Sequence, residues 1–93
     1  MFTCVVGLFG IPRKIISGHE VEVELPDKAT LTDVIAALRR KIPTLAGSVI
    51  CAEEEQLTEH YVFNINGRFY FDDQDIRIRK GDKIGILAAA TGG

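Results

Sequence analysis

The segment of this 93-residue chain that is best suited to take part in a chemical reaction is its last three residues, Thr91, Gly92 and Gly93. Because glycine has no Cβ, a tail that ends in two glycines can enter a narrow channel and adopt backbone angles that other residues avoid. An extended tail that begins with Ala89 and Ala90 would reach about 17 Å, at roughly 3.4 Å per residue. The terminal carboxylate could then enter another protein's active site, where attack on ATP would give an acyl adenylate and afterwards a thiocarboxylate. A chain end that is glycine-rich by chance is the competing interpretation, and the two glycines alone leave both open.

The histidines and cysteines are not spaced as the ligands of a metal site or as a nucleophile with its base. His19 and His60 lie far apart without a spaced second ligand, so we expect ordinary surface or turn residues and no metal site. Two cysteines cannot supply the four thiolates of an iron–sulfur cluster. Cys4 lies in an apolar run and is expected in the core, whereas Cys51 could be reactive but has no base placed near it by sequence. We expect both to be free, buried thiols. A glycine-rich phosphate loop is also missing, so we expect no enzymatic activity and no bound cofactor in the chain itself.

Length and charge narrow the class of protein. A chain of this length is sufficient for one domain and too short for two. Eleven basic and thirteen acidic residues give a net charge of −2, without the basic surplus typical of a nucleic-acid binder. The sequence contains no apolar stretch near the ~20 residues that span a bilayer, and its first residues do not resemble a signal peptide. We therefore expect a cytoplasmic protein without a nucleic-acid or membrane partner.

The strands that would carry the tail follow from apolar periodicity. Residues 2–9 are apolar on both alternating faces, which predicts a central strand covered at least partly on both sides. In residues 20–25 glutamates alternate with apolar residues, as is typical of a half-solvated strand. Three more strands are predicted, and the Asn-Gly pair between the first two of them predicts a type I′ hairpin. They cover residues 61–65, 68–71 and 84–87.

One main helix is predicted between the second and third strands. Thr30 stands at its N-cap with Asp33 three residues later, which resembles a capping box, and Pro43 closes the helix. The helix presents one apolar stripe, formed by Leu31, Val34, Ile35 and Leu38. We expect residues 44–59 to form a loop with one short helix. Either this segment or a partner protein should cover the second face of the first strand.

The order of elements predicts an α+β fold with the terminal strands side by side. We expect a mixed sheet of four to five strands with one main helix across one face, which fits a β-grasp arrangement, although the patterns alone support only an α+β, two-layer fold. This domain should span residues 1–88. The last residues, 89–93, have no side chain larger than threonine and are predicted to form a flexible tail.

The chain resembles the MoaD/ThiS family of ubiquitin-like sulfur carriers over nearly its whole length. The matching segments are residues 21–26, 30–34, 38–43, 63–68, 80–84 and the tail. The turn containing Gly81 and Asp82, at a fixed short distance before the terminal Gly-Gly, is the most specific of them. The resemblance implies a β-grasp (ubiquitin-like) fold, and it implies that the carboxylate of Gly93 is the group that is adenylated and thiocarboxylated.

The resemblance also implies roles for the neighbouring residues and for other proteins. Leu87 matches a position that is apolar in the family and is the candidate for a partner interface. The residues that would lie in the partner's channel are Ala89, Ala90, Thr91 and Gly92. The implied partners are an ATP-using adenylating enzyme of the ubiquitin-activating type (MoaB-like or ThiF-like), a sulfurtransferase, and the large subunit of molybdopterin synthase.

The pathway stays open at this point. The long segment 44–59 favours MoaD, the small subunit of molybdopterin synthase, but the Ala-Ala-Ala-Thr tail lacks the prolines and Val-Ala often found before Gly-Gly in MoaD-type chains. A sulfur carrier for molybdopterin is the first interpretation, with thiamine or another sulfur-transfer pathway beside it. A modifier joined to lysines through the same terminus is the second. A β-grasp interaction module with an inert tail is the third.

Overall fold

Five strands and one α-helix form the regular structure of the described residues, which are 1–11, 18–54, 56–70 and 76–88 of this computed structural model. The elements are β1 (Phe2–Phe9), β2 (Glu20–Leu25), α1 (Leu31–Lys41), a short 3₁₀ helix (Pro43–Leu45), β3 (Tyr61–Ile65), β4 (Arg68–Tyr70) and β5 (Ile84–Ala88). All predicted strands are confirmed, and β5 continues one residue beyond its predicted end. The predicted end of the fourth strand at residue 71 lies outside the described residues.

The strands form one mixed sheet in the order β2-β1-β5-β3-β4. The terminal strands β1 and β5 lie side by side and run parallel, and every other neighbouring pair is antiparallel. The predicted α+β class and mixed five-stranded sheet are confirmed. Neither α1 nor any other helix in the described ranges is long and apolar enough to span a membrane.

Helix α1 begins at the predicted cap. The carboxylate of Asp33 accepts a hydrogen bond from the backbone N–H of Thr30 at 2.9 Å, which is the reciprocal half of a capping box. Basic residues occupy the last turn, where they favour the negative end of the helix dipole. The helix ends before Ile42, whose N–H donates to the carbonyl of Leu38 at 2.8 Å, and Pro43 starts the 3₁₀ helix.

The core lies on the side of the sheet that faces α1. The even-numbered residues Cys4, Val6 and Leu8 of β1 point into it, as do Ile84 and Ile86 of β5. The segment 44–59 adds to the same layer, because its apolar residues Leu45, Val49 and Ile50 are buried in this core. The expectation that this segment could cover the second face of the sheet is therefore wrong.

Two turns meet at the end of the sheet opposite the end of β5. Asn66 and Gly67 both have positive φ angles, 52° and 91°, as a type I′ turn requires. The side chain of Asn66 donates to Asp82 Oδ1 at 3.0 Å and accepts from the N–H of Lys83 at 2.9 Å. Asp82 Oδ2 accepts from the N–H of Arg79 at 2.8 Å. These bonds join the hairpin to the turn that precedes β5.

Candidate docking face

The face of the sheet turned away from α1 carries exposed apolar side chains in the described part of the chain. Directly paired residues share a face, so the register places Leu87 with Phe9 of β1. Val5 and Phe9 are 43% and 52% exposed, and Phe69 of β4 is 60% exposed. We call this surface, defined by Val5, Phe9, Phe69 and Leu87, the open face. A groove of about 720 Å³ runs across it between these four side chains.

The ring of Phe9 lies over two glycines at the centre of the open face. Gly7 of β1 and Gly85 of β5 are partners in the parallel register. A Cβ on Gly7 would stand 2.7 Å from Cε2 of Phe9, and one on Gly85 would stand 3.0 Å from the same atom. The ring therefore fills the space that side chains at these two positions would need. A glycine inside a strand often marks such a close approach.

Three glutamates border this apolar surface on the edge strand β2. They are Glu20, Glu22 and Glu24, and all three are exposed. The register places Glu22 opposite Val5 and Glu20 opposite Gly7, so the carboxylates project from the same side as the apolar residues. No ion pair or hydrogen bond holds these side chains among the described residues. The open face thus combines an apolar centre with a negative edge.

The predicted tail is attached at the edge of this face. Strand β5 ends at Ala88, and Leu87 is its last residue on the open face. Leu87 is half-buried and lies within the apolar surface, as its predicted role at an interface needs. The predicted channel residues and reacting group lie outside the described residues: Ala89, Ala90, Thr91, Gly92 and Gly93. Their mobility stays a prediction.

The cysteines and histidines add no reactive centre to this face. Cys4 is buried, and burial, together with the charge of Asp82, raises the pKa of its thiol, which makes it a poor nucleophile at neutral pH. Both cysteines are free, but Cys51 is half-buried instead of buried, with Sγ 3.8 Å from the carbonyl of Leu57. His19 and His60 are exposed. Within the described ranges, no group of three or more metal-binding side chains occurs.

Sequence reasoning found Leu87 and predicted an apolar second face on the first strand, but it did not place Phe9 beside Leu87 or add Phe69 to them. The signal that could have located Phe9 was the presence of Gly7 and Gly85 inside two predicted strands that should lie side by side. Phe69 gave a second signal, as an aromatic residue two positions after the Asn-Gly turn. Both depend on knowing which strands are neighbours and in which register.

In the part of the chain that the structure describes, parallel terminal strands at the centre of a mixed sheet and one α-helix across one face define a ubiquitin-like β-grasp domain. The sequence model of the ThiS family matches residues 6–93, and the chain belongs to this family. Among the curated proteins, none matches the chain.

Solved structures of the same fold are similar over nearly the full length. Small archaeal modifier protein 1 from Haloferax volcanii superimposes with a TM-score of 0.81 at 22% identity, covering 99% of this chain and 100% of the other. A putative molybdopterin converting factor subunit 1 from Pyrococcus furiosus has a TM-score of 0.73 at 21% identity, with 95% and 98% covered. The BexX/CysO complex of Amycolatopsis orientalis contains a chain with a TM-score of 0.68 at 20% identity, with 97% and 99% covered.

Proposed function

We propose that this chain is a ubiquitin-like sulfur carrier whose Gly93 carboxylate is converted to a thiocarboxylate that donates sulfur in cofactor biosynthesis, molybdopterin being the first candidate. The observation that carries the proposal is that the ThiS family match extends to residue 93 and therefore includes the terminal Gly92-Gly93. The chain acts as a carrier and co-substrate, and the catalytic groups belong to its partner enzymes.

The chemistry uses the terminal carboxylate alone. One carboxylate oxygen attacks the α-phosphate of ATP in the adenylating enzyme, and pyrophosphate leaves. A persulfide carried by a sulfurtransferase then attacks the acyl carbon and displaces AMP, which gives an acyl disulfide. A second thiol cleaves its S–S bond and is oxidised to a disulfide, so the thiocarboxylate is released with sulfur in place of one oxygen. Because no side chain of the chain takes part, its contribution is to place the carboxylate in line with the phosphate.

The open face supplies the contact that brings the tail to the enzyme. Its apolar side chains Phe9 and Leu87 lie beside the end of β5, so a protein that covers them is also next to the start of the tail. Exposed apolar surface of this kind commonly marks an interface. In this arrangement docking on the sheet provides affinity, and entry of the tail provides reactivity.

The decisive experiment is the intact mass of the protein purified from its native cell. Replacement of one terminal oxygen by sulfur adds about 16 Da, independently of the fold. A variant lacking Gly93, expressed and purified in the same way, should not show this species. A native sample that never carries the added mass, from cells that are making the sulfur-containing cofactor, would contradict the carrier proposal.

A second candidate function is conjugation to lysines through the same activated terminus. Its support is the likeness to small archaeal modifier protein 1 of Haloferax volcanii, at an identity that carries the fold only. The last tryptic site of this chain is Lys83, so trypsin would leave residues 84–93 on a modified lysine, not a Gly-Gly dipeptide. Mass spectrometry that finds this ten-residue remnant would favour the modifier, and its absence alongside the +16 Da species would favour the carrier.

A further inference from the structure

The alternation of side chains along β1 is broken directly after the strand ends. Even-numbered residues of β1 face the core and odd-numbered residues such as Val5 and Phe9 face the open side. Ile11 is odd-numbered, yet it is only 8% exposed and belongs to the core. The intervening residue, Gly10, has a φ of +74°, which L-residues with a Cβ rarely adopt. This left-handed residue turns the chain away from the sheet.

Gly10 lies against Ala88, the last residue of β5. A Cβ on Gly10 would stand 3.4 Å from Cβ of Ala88 and 3.8 Å from its backbone nitrogen, which is an ordinary contact distance. A side chain at residue 10 would therefore have enough space. The positive φ angle is what requires a glycine here. The last pair between the two parallel strands is Phe9 with Leu87, so an extended residue 10 would pair with Ala88, and Ile11 would pair with Ala89.

We propose that Gly10 is a positioning residue that ends the β1–β5 pairing at Phe9 and Leu87, so that β1 offers no strand for residues beyond Ala88 to pair with. If β1 continued, its N–H and C=O groups would engage the tail in the hydrogen bonds of a parallel pair. The tail would then have to leave the sheet before it entered an enzyme's channel. Each such hydrogen bond would lower about fivefold the fraction of molecules whose tail is free to enter the channel. The enzymatic consequence rests on the proposed function, whereas the structural one does not.

Three substitutions distinguish an effect of Gly10 on the tail from a general loss of stability. Gly10→Val introduces a β-branched residue that disfavours positive φ and favours continuation of the strand. Gly10→Asn keeps a residue that tolerates the left-handed region and should behave like the parent. Gly47→Val is the matched control, because Gly47 also has positive φ, +89°, with nothing within 4 Å of an added Cβ, in the segment packed on the helix side. If Gly10→Val does not fold, Gly10→Ala replaces it.

The first measurement is amide hydrogen exchange of residues 89–91 in the free protein by NMR. We expect exchange to slow at least fivefold in Gly10→Val, and to match the parent in Gly10→Asn and in Gly47→Val. Equal tail exchange in Gly10→Val, Gly47→Val and the parent would overturn the proposal.

The second measurement is ATP–pyrophosphate exchange with the ThiF-like adenylating enzyme of the same cell. We expect kcat/KM to fall about tenfold for Gly10→Val and to stay near the parent value for the other two variants. Slower tail exchange combined with parent-like kcat/KM would overturn the positioning role. If the parent itself supports no pyrophosphate exchange, the proposed function fails, while slowed tail exchange would still establish Gly10 as the end of the ladder.

Discussion

Gly7 and Phe9 occupy one space on the open face, because a Cβ added to Gly7 would stand 2.7 Å from both Cε2 and Cζ of the Phe9 ring. The ring is folded back along its own strand instead of standing away from the sheet. The same ring also lies over Gly85, which is paired with Gly7 in the sheet. The position of the largest exposed side chain of β1 is thus determined by two residues that have no side chain.

Replacing Gly7 with alanine should displace this ring. Since the clash involves the far end of a side chain, the ring can rotate away, and we expect a loss of about 1 kcal/mol in the free energy of unfolding. The same substitution in a Phe9→Ala background should cost little or be stabilising, because the clash is gone and alanine has less backbone entropy to lose. Urea denaturation of the four proteins measures the difference. An equal cost in both backgrounds would show that the ring is not what Gly7 accommodates.

Leu87→Glu tests whether the open face docks the adenylating enzyme. A carboxylate buried within an apolar contact must lose its hydration, so we expect at least a tenfold rise in Kd, measured by calorimetry. The half-buried side chain lies at the end of β5, and the melting temperature should change little. Ala36→Glu adds the same charge on α1 and should leave Kd unchanged. Equal Kd values for Leu87→Glu and the parent would remove this position from the interface.

The glutamate edge of the open face should influence the rate of association. We expect Glu20→Gln combined with Glu22→Gln to lower the association rate with the adenylating enzyme and to flatten its dependence on ionic strength, since these carboxylates border the contact. The matched control is Glu53→Gln with Glu54→Gln, which changes the net charge equally at two exposed loop residues. Stopped-flow measurements at several salt concentrations compare the two. Identical salt dependence in both double variants would mean that only net charge matters.

Most of the fold could be predicted from the sequence because its signals are local. The alternation of residues 20–25, the Thr30 cap and the Asn66-Gly67 turn each depend on neighbours within a few positions, and all three are present in the structure. The placement of residues 44–59 was less predictable. Their apolar residues could pack on either face of the sheet, and the choice depends on the space left beside α1, which no short pattern reveals.

The candidate site could be predicted only in part, for the same reason. Leu87 was identified because it precedes the tail, which is a relation along the chain. Phe9 and Phe69 join it through pairing between strands that are distant in sequence. The contact between Gly10 and Ala88 likewise depends on the parallel register of β1 and β5, which the sequence does not give.

The turn before β5, which carries the most specific resemblance to the family, should matter for stability. Asp82 accepts hydrogen bonds from Asn66 and from the N–H of Arg79, at 3.0 and 2.8 Å. We expect Asp82→Ala to lower the free energy of unfolding by about 1 kcal/mol, because both donors lose a charged acceptor in a partly exposed turn. Asp27→Ala is the control, since the ion pair of Asp27 with the amino terminus of Met1 is exposed and should contribute little. Equal melting temperatures for the two variants would contradict a structural role for this turn.

Gly93 is the residue on which the proposed function depends most directly. Its carboxylate must meet the α-phosphate of ATP in line and within a few ångströms, inside a channel that a side chain would obstruct. We expect Gly93→Ala, or deletion of Gly93, to abolish adenylation in a pyrophosphate-exchange assay. The thermal midpoint should stay within error of the parent, because the buried core of the described residues does not extend past Ile86. Binding to the adenylating enzyme should largely survive if the open face supplies most of the contact, as proposed. Leu87→Glu should show the opposite pattern, with binding lost and the terminus intact. Adenylation of the Gly93 variants at the parent rate would leave the tail without a role and make an interaction module the better account of this chain.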